Sequence, residues 1–91
     1  MLPEEIERAA YNGNEQPDKL TPPEVMLFQA LASLYGRYRL KLIDKPTAQK
    51  EKKKIYSAFK RMNEEYRQFI EINKFLQEKI RREYGASLPD T

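Results

Sequence analysis

The strongest limit on the fold comes from the longest stretch of the chain that lacks a helix-breaking residue. After Pro46 the sequence contains neither proline nor glycine until Gly85. Within this stretch one set of positions recurs in steps that alternate between four and three residues, as in a heptad repeat. We call this set the seam: Ile55, Phe59, Met62, Tyr66, Phe69, Asn73, Leu76 and Ile80. A helix over residues 46–84 is therefore predicted, about 58 Å long at 1.5 Å per residue.

A second helix is indicated by the way it starts. Thr21-Pro22-Pro23-Glu24 has the pattern of a capping box, with proline in the first turn. We assign residues 22–43 to this helix and expect it to run to about Leu42. Pro46 then breaks the chain, and Asp44 or Thr47 can cap the long helix.

A short helix precedes these two. Pro3 suits a first turn, and Asn12-Gly13 can supply the left-handed residue that ends the helix after Tyr11. The predicted fold is all-α: a helical hairpin with one long C-terminal helix plus a short N-terminal helix, self-associating into a helical bundle. It forms one domain over residues 1–91, divided into an N-terminal helix and linker (1–21), helix two (22–43), long helix three (46–84) and a frayed tail (85–91).

Helix two is uncharged on the face opposite the one that can meet helix three. Ala32 and Gly36 form a smooth stripe there, which another helix can approach closely. Either the short first helix folds over this face or a second subunit covers it. The predicted self-association residues on helix two are Val25, Gln29, Ala32, Ser33, Gly36 and Leu40.

The two main helices differ in length, about 33 Å against about 58 Å. The last ~27 Å of helix three therefore has no partner in helix two, and either the first helix or a second subunit covers it. A homo-oligomer, with a dimer favoured, is our prediction. Asn73 either fixes the register of this contact or simply faces water. The predicted contact residues on helix three are Phe69, Ile72, Asn73, Leu76 and Ile80.

Basic residues are concentrated around the hairpin tip. Residues 37–54 hold eight basic and two acidic side chains, although the whole chain carries a net charge of only +3. Such a cluster either keeps the tip soluble or contacts the phosphates of a nucleic acid. The candidate phosphate contacts are Arg37, Arg39, Lys41, Lys50, Lys52, Lys53 and Lys54.

Several classes of function are disfavoured by composition. The chain has no histidine and no cysteine, so the commonest general bases, thiol nucleophiles and soft-metal ligands are missing. We find no phosphate-binding loop and no calcium-loop spacing. We therefore predict a protein that is not an enzyme, with no catalytic or cofactor-binding residues, no metal site and no cofactor.

Neither a signal peptide nor a membrane span is predicted. The first residues lack the basic and apolar regions of a secretory signal. The longest uncharged run, Val25 to Gly36, is shorter than the ~20 residues that a spanning helix needs. We expect a cytoplasmic protein with no membrane partner.

Several short segments rich in polar and aromatic residues, between residue 9 and about residue 54, resemble those of a group of known proteins. They are Ala10-Tyr11-Asn12-Gly13-Asn14, Pro17-Asp18, Pro23-Glu24, Leu34-Tyr35, Tyr38-Arg39 and Glu51-Lys52. In these segments the chain resembles small uncharacterised helical proteins of phages and prophages from gut Firmicutes. The resemblance implies a phage-encoded protein in the cytoplasm of a bacterial host, and it implies no catalytic residues.

Taken together, these features favour a non-enzymatic protein that acts through protein–protein interaction. With the resemblance added, the expected role is a phage structural or assembly factor, or an inhibitor of a host defence system, with an unidentified protein partner. The alternative is a nucleic-acid-binding factor that uses the basic hairpin tip.

Overall fold

Three helices make up the protein, whose computed structural model describes residues 1–84. They are α1 (Pro3–Tyr11), α2 (Pro22–Arg39) and α3 (Lys45–Tyr84). The helices account for 80% of the described chain, and residues 1–84 contain no strand. The all-α class, the short first helix and the long last helix are thus confirmed. The predicted tail over 85–91, with Gly85 as the helix stop, lies outside the described residues.

Helix α1 has the predicted bounds and the predicted ending. Gly13 follows the cap residue Asn12 and has a φ of +71°, a conformation that glycine adopts without strain. The N–H groups of Gly13 and Asn14 donate to the carbonyl oxygens of Ala10 and Ala9, at 3.2 and 3.0 Å. These two bonds satisfy carbonyl groups that the helix would otherwise leave unpaired.

Helix α2 starts with the predicted capping box. The backbone N–H of Thr21 donates to Glu24 Oε1 at 2.8 Å, and the N–H of Glu24 donates to Thr21 Oγ1 at 3.4 Å. Two N–H groups at the helix start are therefore paired reciprocally.

The end of α2 differs from the prediction. The helix ends at Arg39, short of the expected limit at Leu42–Ile43. Lys41 adopts a left-handed conformation with a φ of +60°, and its N–H donates to the Tyr38 carbonyl oxygen at 3.0 Å. The N–H of Leu42 donates to the Arg37 carbonyl oxygen at 3.0 Å, which completes the type of ending seen in α1. Leu42, which the prediction placed at the end of this helix, is 68% exposed, because the chain has already left the helix.

Helix α3 begins one residue earlier than predicted, at Lys45. Asp44 Oδ1 accepts a hydrogen bond from the backbone N–H of Thr47 at 2.9 Å, so Asp44 rather than Thr47 is the cap. Pro46 then occupies the first turn, where its missing N–H has no helical partner to lose.

Helix α1 lies parallel to α2. The Met1 amino group is 3.5 Å from Glu24 Oε2 at the start of α2, and the Tyr11 ring contacts Tyr35 near its end. The linker then returns along α2, since Gln29 Nε2 donates to Gln16 Oε1 at 3.4 Å. Helix α3 follows as the second arm of the hairpin.

The core lies where the three helices meet and uses only the proximal part of α3. Phe59 is the one α3 residue in the buried set, and Ala48, Ile55 and Tyr56 pack against it. No described residue of α3 beyond Phe59 belongs to this core. The remainder of α3 projects from the core, and the molecule measures 60 × 23 × 22 Å. The members of the buried set are Ile6, Ala10, Leu27, Phe28, Leu31, Leu34 and Phe59.

Candidate functional site

The projecting part of α3 exposes an unusual amount of apolar surface. We define it as the distal segment, residues 62–83. Phe69 and Phe75 are each 64% exposed. Helix α2 is too short to cover the segment, and the polar contacts of α1 with α3, from Glu7 to Lys52 and Tyr56, lie before it. Large exposed apolar patches on a protein surface usually mark interaction sites. The exposed apolar side chains are Met62, Phe69, Ile70, Ile72, Phe75 and Leu76.

The seam continues along one face of the distal segment. Among its later members Tyr66, Asn73 and Ile80 are half-buried, whereas Phe69 and Leu76 are exposed. Asn73 Nδ2 donates to the backbone carbonyl oxygen of Phe69 at 2.9 Å. One polar group of Asn73 is therefore satisfied within the helix itself, which lowers the cost of placing this residue in an apolar contact.

The second predicted self-association face, on α2, is partly occupied. Ala32 packs against the core, and Gln29 hydrogen-bonds to Gln16 of the linker. A Cβ atom added at Gly36 would meet no heavy atom within 4 Å, so nothing in the described chain approaches Gly36 closely. Leu40 lies beyond the helix as its C-cap and is 72% exposed. The remaining members of this face are Val25, which is half-buried, and Ser33, which is exposed.

Three of the candidate phosphate-binding residues contact other side chains of the protein. Arg37 forms a bidentate ion pair with Glu51, in which Nη2 donates to Oε2 at 2.7 Å and Nη1 donates to Oε1 at 3.2 Å. Lys52 Nζ lies 2.6 Å from Glu7 Oε2. The Arg39 guanidinium lies 5.2 Å from the centre of the Tyr11 ring, in cation–π geometry. These contacts connect the helices to one another, and sequence spacing alone did not reveal them.

The other four candidates remain at the surface of the hairpin tip. Lys41 lies in the turn after α2, and Lys50, Lys53 and Lys54 lie near the start of α3. Within residues 1–84 no acidic group is within 4.0 Å of their ammonium groups. Lys50 and Lys53 border a shallow depression of about 700 Å³ beside Tyr56. This part of the cluster is available to an anionic ligand.

Glu7 is the centre of a polar cluster that connects all three helices. Its Oε2 atom accepts hydrogen bonds from the Tyr35 hydroxyl at 2.7 Å and from Lys52 Nζ at 2.6 Å. Its Oε1 atom accepts a hydrogen bond from the Tyr56 hydroxyl. The two tyrosines are 28 and 49 residues away in sequence, so no local pattern could have indicated the cluster.

The cluster shifts the protonation of its members. Burial by itself raises the pKa of the Glu7 carboxyl, but hydrogen bonds from Lys52, Tyr56 and Tyr35 outweigh burial and hold that pKa below its usual value. The hydrogen bond to Glu7 raises the pKa of Lys52. Burial, followed by the hydrogen bond to Glu7, raises the pKa of Tyr56. Glu7 is thus held ionised, and both of its oxygens already have donors, which gives it a structural role.

Two further features of residues 1–84 bear on function. No three Asp or Glu side chains in this range are grouped closely enough to hold a metal ion. None of the three helices combines the length and the apolar character that crossing a bilayer requires.

Comparison with known proteins identifies no relative. The chain matches no protein-family model, no curated protein and no solved structure.

Proposed function

We propose that this chain is a non-enzymatic interaction protein whose docking element is the distal segment of α3. One observation carries the proposal: a helix that extends beyond the core with Phe69, Ile72 and Leu76 exposed. Burying an apolar side chain stabilises an assembly by roughly 1.5–3 kcal/mol. Keeping several such side chains in water has no benefit for an isolated monomer, but it provides the apolar face that helix-to-helix recognition uses.

The resemblance to phage and prophage proteins supplies the biological setting of the proposal. A phage-encoded interaction protein of this size would act in the bacterial cytoplasm, as a structural or assembly factor or as an inhibitor of a host defence system. In either role it would act by occupying a surface of another protein in fixed proportion.

The test uses a photo-crosslinking amino acid in place of Ile72, at the centre of the exposed face. The full-length protein is expressed in a bacterial host, irradiated, and analysed by mass spectrometry. Crosslinks to a protein, whether a second copy or another chain, are expected from position 72. The matched control places the same amino acid at Lys74, on the polar side of the same helix. Equal crosslinking from both positions, or none from Ile72, would contradict the proposal.

A second candidate function is supported by the four surface lysines of the tip. Lys50, Lys53 and Lys54 are exposed on the first turns of α3, and Lys41 lies in the adjoining turn. Such a group can bind the phosphates of a nucleic acid, and that binding weakens steeply with salt.

The experiment for this second function compares two triple variants. Replacing Lys50, Lys53 and Lys54 by glutamine is expected to weaken binding to single- and double-stranded DNA and to reduce its dependence on salt. The matched control replaces Lys74, Arg81 and Arg82 by glutamine, three basic residues that lie on the distal segment. If the wild-type protein binds neither DNA at low salt, the second function is excluded.

A further inference from the structure

We propose that the distal segment is covered by a second copy of this chain, in an antiparallel contact with Met62 of each copy opposite Ile80 of the other. The inference rests on the proposed function and adds to it the partner, the direction of the helices and their register. Two independent features of the protein lead to the same register.

The first feature is where the covered part of the seam stops. Helix α2 packs on the seam up to Phe59, and Met62, which is 38% exposed, is the first seam position outside the core. Ile80 is the last apolar seam position before Glu83. An antiparallel partner that begins where α2 stops therefore places Ile80 beside Met62. This register leaves no apolar seam position of either distal segment uncovered.

The same register sets the inner layers of the contact. Tyr66 of each copy lies opposite Leu76 of the other, and Phe69 lies opposite Asn73. In an antiparallel coiled coil, side chains that lie opposite each other on the two helices form a layer of the core. Each layer here contains one seam residue from each copy. Asn73 already donates to the backbone carbonyl oxygen of Phe69. It can therefore enter a mixed layer without losing that hydrogen bond.

The second feature is the pair of positions that flank the seam. In this register, the positions on one side of the seam pair Ile72 with Ile72 of the other copy. The positions on the other side of the seam pair Ile70 with Ile70 of the other copy. Glu65 then lies against Lys79 of the second copy, and two-fold symmetry forms this ion pair twice. Opposite charges therefore meet, while the two exposed isoleucines meet their own copies.

Neighbouring registers lose this match. Moving the partner by one heptad in one direction places Glu65 against Ile72. Moving it by one heptad in the other direction places Ile72 against Lys79. Either shift leaves charged groups against apolar side chains, which is unfavourable. The residue pairs on both sides of the seam therefore favour the same register as the two ends of the exposed seam do.

A parallel arrangement conflicts with the position of α2. In a parallel pair, Ile55 and Phe59 of the two copies would approach each other, but α2 already packs on these residues in each copy. In the antiparallel arrangement the two hairpins lie at opposite ends, and only distal segments meet. The distal segment holds five acidic and five basic residues, so two copies approach without net repulsion.

Disulfide trapping tests the direction and the register. The chain has no native cysteine, so Tyr66→Cys and Leu76→Cys variants each carry a single thiol. When the two are mixed in a glutathione redox buffer, disulfides joining position 66 of one chain to position 76 of another are expected in excess of the random proportion. A mixture of Tyr66→Cys with Phe69→Cys tests the register one heptad away. Predominance of like-with-like disulfides would overturn the antiparallel arrangement.

Charge reversal tests the register without introducing a crosslink. Glu65→Lys and Lys79→Glu are each expected to weaken the dimer roughly tenfold in sedimentation equilibrium, and combining the two is expected to restore it. Within one helix these residues lie about 21 Å apart, so restoration must come from the other copy. The matched controls, Glu64→Lys and Lys74→Glu, lie on the polar face and are expected to leave the dimer unchanged.

The outcomes separate this inference from the proposed function. If the wild type self-associates through the distal segment but the combined charge reversal does not restore the dimer, the register is wrong and the interaction role stands. If the wild type is a monomer at several hundred micromolar, the second copy is not the occupant. The interaction role then depends on the crosslinks formed from Ile72 to a different protein.

Discussion

Tyr56 of α3 donates its hydroxyl hydrogen to the carboxylate of Glu7 on α1, although α1 otherwise packs along α2. This hydrogen bond connects the first helix directly to the second arm of the hairpin. Ile6 and Ala10 supply the apolar contact of α1, so the helix is held by a buried apolar side and by a polar anchor beside it. The position of α1 therefore depends on Glu7, whose hydrogen-bond partners lie on both α2 and α3.

We expect Glu7→Gln to lower the free energy of unfolding by about 1–2 kcal/mol. A glutamine keeps an oxygen that can accept from Tyr35 or Tyr56, but it loses the charge that pairs with Lys52. Urea unfolding followed by circular dichroism measures the change. Glu5→Gln is the matched control, because Glu5 is an exposed acidic residue on the same helix. Equal effects of the two substitutions would contradict the assigned role of Glu7.

The contribution of Glu7 to the free energy of unfolding should depend on pH. Its pKa is lower in the folded state than the ordinary 4.5, so ionised Glu7 stabilises the fold at neutral pH. This contribution is complete above the unfolded-state pKa and is lost as the pH falls through the lower folded-state pKa. The difference in stability between wild type and Glu7→Gln should therefore shrink between about pH 5 and about pH 3. A difference that stays constant or grows over this range would contradict the prediction.

Phe59 and Tyr66 should behave differently although both belong to the seam. Phe59 is buried in the core, so Phe59→Ala should destabilise the monomer by about 3–5 kcal/mol. Tyr66 belongs to the same seam but lies outside the core. Tyr66→Ala should therefore lower monomer stability by less than about 1 kcal/mol and weaken self-association instead. Unfolding at low protein concentration and sedimentation at high concentration separate the two effects.

The features that could be predicted from the sequence are those with a local cause. Thr21 and Glu24 form their capping box within one turn, and Asp44 caps α3 through a residue three positions away. The early end of α2 was missed because Lys41, a residue that seldom adopts a positive φ, takes the position usually filled by glycine. The Glu7 cluster was missed because its members meet only after all three helices have packed.

Gly36→Ala distinguishes the two surfaces that the sequence offered for self-association. Gly36 lies inside α2, and an added methyl group would meet no heavy atom within 4 Å. Alanine is the better helix former, so the substitution should raise the free energy of unfolding by roughly 1 kcal/mol.

The effect of Gly36→Ala on association then identifies the interface. If the distal segment forms the contact, the dimer affinity should be unchanged, because Gly36 lies on a different helix and outside that surface. If the stripe of Ala32 and Gly36 brings two α2 helices close together, the added methyl group should separate them and weaken the dimer. Sedimentation equilibrium of the wild type and of Gly36→Ala measures the difference. Weaker association of Gly36→Ala than of the wild type would move the interface from α3 to α2.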